Sequence, residues 1–251
     1  MRSTFLFMIK GESMQVISTL KNESLLNRII TASKSYSNLC NKDFLYVCLD
    51  KKDISNTFVF TARYEESSFM HLCGIKSKTM DASSFYRNCL NSSITLNDCT
   101  PAYDHSVQDI SSKVSILSDL LDVKNMKMFK ADDPNIQPQK AEFDIGIGND
   151  TGFIGYRYDK YIKKLLPVTN MPQPLTKYCF DPQKISMVMS KKPDEKLFSK
   201  TEFEISKDLL SKLDVEYYYL LLSFVDDLVL ENAFKEKLFE PSKEQEYEME
   251  R

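Results

Sequence analysis

The sequence predicts an α+β protein: helices packed on an antiparallel sheet, with further helices at the C-terminus. Three observations carry that expectation. Apolar residues recur at helical spacing near both ends and over 105–123; short runs rich in aromatic and β-branched residues lie between; and polar or glycine-rich turns join neighbouring runs as hairpins. The chain of 251 residues, 42% hydrophobic and 27% charged, has the composition of a folded domain and the length for one large domain or two small ones.

The elements follow in order. Residues 12–38 read as a helix through Met14, Ile17, Leu20, Leu25, Ile29 and Ile30, with Glu12 or Ser13 at its start. Asn41-Lys42-Asp43 ends that pattern. Phe44–Asp50 and Thr57–Tyr64 read as two strands joined by the polar turn 51–56. Ser68–Ile75 is a further apolar segment, and as a strand it would place Phe69, His71, Cys73 and Ile75 on one face. Asp81 reads as the N-cap of a short helix to Asn91. His105–Val123 is helical through Val107, Ile110, Val114, Ile116, Leu117 and Leu120. The loop Ala131–Gln139, with Pro134 and Pro138, is the main internal break. Ala141–Ile147 and Phe153–Tyr158 form a hairpin across Gly148–Gly152, and Pro167, Pro172 and Pro174 mark a loop before the strand Ile185–Met189. Residues 203–240 read as two helices, Phe203–Leu213 and Val215–Phe239, ahead of a solvated tail. The expected division is a domain over 1–213 and an acidic helical extension over 214–251.

Charge and cysteine usage narrow the classes. Residues 214–251 carry eleven acidic and four basic side chains, a balance of −7, which leaves +4 on the rest of the chain. A mildly basic body is compatible with a phosphate-bearing partner. The six cysteines form no C-x-x-C pair, four of them lie in apolar runs, and Phe5–Ile9 is shorter than the roughly 7–15 residues of a secretory core. Reduced thiols, a cytoplasmic location and no membrane segment are therefore expected. With only two histidines and His71-Leu72-Cys73 unmatched by a second pair, no metal and no cofactor are expected either.

Gly146-Ile147-Gly148-Asn149-Asp150-Thr151-Gly152 falls one residue off a dinucleotide fingerprint, and a strand follows where that motif needs a helix, so the glycines read as a turn. There is no G-x-S-x-G elbow. Phosphodiester cleavage in RNA asks for less: a base, an acid, and cations or hydroxyls around the phosphate. The catalytic candidates are His71, Lys76, Tyr86, Thr151 and Arg157. Arg63, Lys78, Arg87, Tyr156, Lys160, Lys163 and Lys164 are candidates for phosphate contact and base stacking. His105 reads as a solvated residue at a helix start.

Several of these segments also form a recognisable series. Asn41–Val47, Phe58-Val59-Phe60, Phe69-Met70-His71-Leu72-Cys73-Gly74-Ile75 and Ala82-Ser83-Ser84-Phe85-Tyr86 are followed by Lys113, Phe143–Gly148, Phe153-Ile154-Gly155-Tyr156, Pro167 and Lys184–Met189. Over about residues 12–195 this order resembles the phage branch of the barnase–EndoU–colicin–RelE-like nuclease superfamily, its most specific part being F-x-H-L-x-G-I followed by Phe-Tyr on a helix. The resemblance implies helices against an antiparallel sheet and a metal-independent RNase-type activity, with 1–213 as the RNase-like domain. It places His71 at the family's histidine and Tyr86 at its helix aromatic. Two functions are expected from it. One is cleavage of RNA, transfer RNA among the candidates, by attack of the 2′-hydroxyl. The other is a non-enzymatic inhibitor of a host defence protein on the same scaffold, its acidic tail mimicking nucleic acid. The sequence leaves the oligomeric state open.

Overall fold

The structure is a computed structural model that describes residues 23–48, 58–97, 99–102, 105–124, 126–130, 143–178 and 182–204. Helix α1 (Glu23–Ser37) leads into strands β1 (Lys42–Cys48) and β2 (Phe58–Tyr64), helix α2 (Glu66–Leu72), strand β3 (Ile75–Ser77), helix α3 (Ala82–Leu90) and strand β4 (Cys99–Pro101). Helix α4 (Val107–Leu120) precedes β5 (Lys127–Lys130), β6 (Ile145–Gly148), β7 (Phe153–Asp159), β8 (Lys164–Met171), β9 (Gln183–Lys191) and β10 (Lys200–Glu204).

Eight strands form one sheet in the order β1-β2-β8-β7-β6-β5-β9-β10, while β3 and β4 pair separately. Strand β9 also pairs with β1, so seven strands curl into a half-barrel and β10 lies outside β9. The one parallel junction, β2 with β8, is a single residue pair, Ala62 opposite Leu165. This corrects the expected fold class. The described chain is mostly sheet with four α-helices, not helices packed on a small antiparallel sheet with helices at the C-terminus. Of the expected C-terminal helices, Phe203 and Glu204 belong to strand β10, and the remainder, like the 213/214 domain boundary, lies outside the described residues.

Local chemistry accounts for the individual departures. Ser68–Ile75 is not a strand, because Phe69, Leu72 and Cys73 have helical spacing and α2 buries them while His71 faces outward. Strand β8 runs through the stretch where Pro167 suggests a loop. The register shifts between Gly155 and Tyr156, opposite Thr169 and Pro167, and a proline without an N–H is tolerated at such an irregularity. The N-cap expected at Asp81 holds, since Asp81 accepts the Ser84 N–H at 2.8 Å at the start of α3; α4 begins with a capping box of Ser106 and Asp109 that the sequence reading did not name. Cys40, Cys48, Cys73, Cys89 and Cys99 are free thiols.

The four helices and the inward face of the sheet share one core. Leu25, Ile29 and Tyr36 from α1 meet Phe69 and Leu72 from α2, Phe85 and Tyr86 from α3, and Phe44, Tyr46, Tyr64 and Tyr156 from the sheet. Buried phenols need partners, and Tyr46, Tyr64 and Tyr156 supply one another, with oxygens 3.0 and 2.5 Å apart. No described helix is long and apolar enough to cross a membrane.

Gly148 closes the β6–β7 turn, where a Cβ would overlap the Gly152 carbonyl oxygen and the Phe153 Cα. Because these are backbone atoms, Gly148→Ala should destabilise the protein by about 1–3 kcal/mol, read as a lowered thermal midpoint.

Candidate functional site

The outward face of the sheet carries a charged row built by strand register. Asp43 on β1 is opposite Arg63 on β2 and opposite Lys191 on β9. The Ala62–Leu165 pair brings Lys164 of β8 beside Arg63, and Lys164 is in turn opposite Asp159 of β7. Side chains alternate along a strand, so while Phe44 and Tyr64 enter the core, Asp43 and Arg63 point the other way.

The Asp43 carboxylate is fully buried and held at both oxygens. Arg63 donates Nε to Oδ1 at 2.6 Å and a second guanidinium nitrogen to Oδ2 at 3.1 Å, while Lys164 Nζ also donates to Oδ2. Burial pushes this carboxyl up, but Arg63 and Lys164 outweigh it and hold it below the usual aspartate value. Lys191 donates to the carbonyls of Glu195 and Lys196. Its own pKa is lowered, by burial first and then by the charge of Lys164. Two cations thus engage the carboxylate, and a third, Lys191, stands opposite it in the strand register. Arg63 and Lys164 keep 20% and 19% of their side-chain surface, enough to meet an anion from solvent. A cavity of about 270 Å³ beside Arg63 also contains Glu65 and Glu66, so its lining carries negative as well as positive charge.

Lys164 opens β8 at the β7–β8 hairpin. Arg157, Lys160 and Lys163 are exposed on it, as are Tyr158 and Tyr161. Asp159 Oδ1 accepts the N–H groups of Tyr161 at 2.8 Å and Ile162 at 3.1 Å, and Lys163 takes a left-handed φ of 55° to complete the turn.

His71 belongs to the opposite end of β8. Its carbonyl accepts the Gly74 N–H, a Cβ on Gly74 would touch Lys113 Cδ at 3.0 Å, and Lys113 Nζ donates to the Asn170 carbonyl at 2.6 Å. From Lys164 to Asn170 is six strand steps, about 20 Å. His71 and Lys76 are exposed there, and Thr151 lies toward the same end, in the turn before Phe153, which pairs with Met171. The imidazole of His71 makes no hydrogen bond or ion pair with a described residue.

The structure therefore brings Arg63, Lys160, Lys163, Lys164 and Arg157 to one end of the sheet and His71, Lys76 and Thr151 toward the other. Lys78 is exposed just after β3, and Arg87 is 3.7 Å from Glu66. Tyr86 packs against Tyr36 and Phe69 at centroid distances of 5.4 and 5.5 Å, and Tyr156 is 1% exposed, so both rings are occupied by the core. Sequence reasoning passed over Asp43, Lys191, Tyr158 and Tyr161. It also passed over the Lys113–Asn170 clamp, in which Asn170 Nδ2 returns a bond to the Lys113 carbonyl at 2.8 Å and burial lowers the lysine's pKa. The alternation through Arg63 and the F-I-G-Y-R-Y-D run held part of that signal. Among the described residues, no group of three or more His, Cys, Asp or Glu side chains could hold a metal ion.

Residues 28–207 match the family model described as phage-Barnase-EndoU-ColicinE5/D-RelE like nuclease 4. The chain belongs to this nuclease family. It is nuclease-like, of the barnase–EndoU–colicin–RelE kind, and the family implies a nucleic acid as substrate. No curated protein and no solved structure matches it.

Asp43 gives the fold an acid-sensitive contribution. Its folded pKa is depressed, so that contribution is present above about pH 3.9, the unfolded value, and is lost as pH falls through the folded one. Asp43→Asn should cost about 3–5 kcal/mol at neutral pH and flatten the acid limb of a stability–pH profile measured by urea unfolding.

Proposed function

We propose that this protein is an endoribonuclease that cuts RNA without a metal ion, by internal attack of the 2′-hydroxyl. A bond forms between the 2′-oxygen and phosphorus, and the bond to the 5′-oxygen breaks. One proton leaves the 2′-hydroxyl and one is returned to the departing 5′-oxygen, giving 2′,3′-cyclic phosphate and 5′-hydroxyl ends. The observation that carries this reading, beside the family, is the cationic end of the sheet. Arg63, Lys164 and Lys191 exceed the charge of Asp43, and Lys160, Lys163 and Arg157 extend the positive surface onto the hairpin.

The roles divide along β8. Arg63, Lys160, Lys163 and Lys164 contact phosphates and hold the strand. His71, whose imidazole is exposed, carries the proton as the general acid–base group. Lys76, exposed five residues on, steadies the phosphate there. With the two groups toward opposite ends of β8, whose span from Lys164 to Asn170 is about 20 Å, they touch different phosphates. The hairpin cations then act on binding and His71 acts on turnover.

The test is cleavage of total and transfer RNA in EDTA, with end-group analysis. His71→Ala should lower kcat by about 100-fold or more while the thermal midpoint stays put. Lys160→Ala with Lys163→Ala should raise KM and leave kcat near its original value. Absence of cleavage by pure wild-type protein, or full turnover by His71→Ala, would overturn this assignment.

A further inference from the structure

Large apolar side chains are rarely left in water without a use when they cluster. Among the described residues, three large hydrophobic side chains are exposed: Tyr158 at 54%, Tyr161 at 83% and Leu197 at 37%. Two of the three occupy one hairpin, and Tyr161 is at its tip, between Lys160 and Lys163. Lys160 Nζ is 5.1 Å from the centre of the Tyr161 ring. A ring that exposed keeps room for a planar group beside the lysine.

The tip is also prearranged. Asp159 holds the backbone of Tyr161 and Ile162, and Asp144 Oδ2 accepts the Tyr158 N–H at 2.6 Å. A side chain presented on fixed backbone loses little freedom on binding. Directly behind the tip are Lys164 and Arg63, drawn onto Asp43 but still part exposed.

On the nuclease reading above, we propose that the β7–β8 tip is a stacking platform for unpaired nucleotides, with Tyr161 and Tyr158 taking bases and Lys160, Lys163 and Lys164 taking the flanking phosphates. In a duplex the base faces are stacked on one another and out of reach. A single strand, a loop or a bulge offers both the faces and the phosphates. The substrate class is therefore nucleic acid that is single-stranded at the point of contact. Stacking is tolerant of base identity, so the platform selects for strandedness before sequence.

The experiment uses the whole protein and a fluorescently labelled 2′-O-methyl oligoribonucleotide, which cannot be cut, alone or annealed to its complement. Anisotropy should show tighter binding to the single strand. Tyr161→Ala should weaken single-strand binding about fivefold or more and change duplex binding less than twofold, with an unaltered thermal midpoint. Tyr161→Phe should bind like wild type, because the ring and not the hydroxyl is used. Equal affinity for strand and duplex, or unchanged binding by Tyr161→Ala, would overturn the platform. Because the probe cannot be cleaved, those outcomes are separate from failure of the nuclease assignment. Single-strand binding without cleavage would remove the enzyme and keep the platform; cleavage with no Tyr161 effect would do the reverse.

Discussion

The half-barrel depends on a carboxylate placed where the sheet is weakest. Strands β2 and β8 meet at one parallel residue pair, so backbone hydrogen bonding at that junction is slight. Asp43, on the far side of β2, binds Arg63 on β2 and Lys164 on β8 and so links three strands through three side chains. A buried carboxylate is costly unless its oxygens are fully engaged. The bidentate guanidinium and the lysine engage both. What closes the curl also gathers positive charge at one rim.

The same strands separate two chemistries by simple alternation. On β1 and β2, Phe44, Tyr46 and Tyr64 turn inward to a core of rings, and the linked hydroxyls of Tyr46, Tyr64 and Tyr156 let that core hold three phenols without an unpaired oxygen. One residue along, Asp43 and Arg63 turn outward. On β7, Tyr156 is inside the curl, whereas Tyr158, two residues on and at the strand end, passes the rim into solvent. A change of register by one residue would exchange these faces, so the aromatic core and the charged row specify each other.

This explains what could and could not be read from the sequence. Strands β1 and β2, helix α4 and the β6–β7 hairpin were legible because their patterns are local: alternating apolar runs, a capped helical period and a glycine turn. Strand β8 was not, since Pro167 is tolerated only through a shift against Gly155 and Tyr156, a fact of pairing. Helix α2 was hidden by a short apolar run that fits either period until burial decides. Lysines of the hairpin were visible as charges, but the partner Asp43 is more than a hundred residues away from Lys164. Tyr156 and Tyr158 look alike in sequence; the position of the rim alone separates a core ring from an exposed one.

The separation of the two ends of β8 bears on how the fold could act on a polymer. A small substrate would need all its contacts within one cavity, yet the larger described cavity, about 780 Å³ between α1 and α4, contains none of the candidate site residues. A nucleic acid strand has no such need, because it repeats its phosphate every nucleotide and can be gripped at one place and altered at another. Binding at the Lys164 rim therefore need not hold the scissile phosphate itself. On the proposed reading it need only fix the strand so that a phosphate several nucleotides away reaches the exposed imidazole at the other end. Rigidity between the ends would then be the requirement, and the Lys113–Asn170 clamp, which fastens α4 to the far end of β8 by two reciprocal bonds, would supply it beside Gly74, just past the end of helix α2.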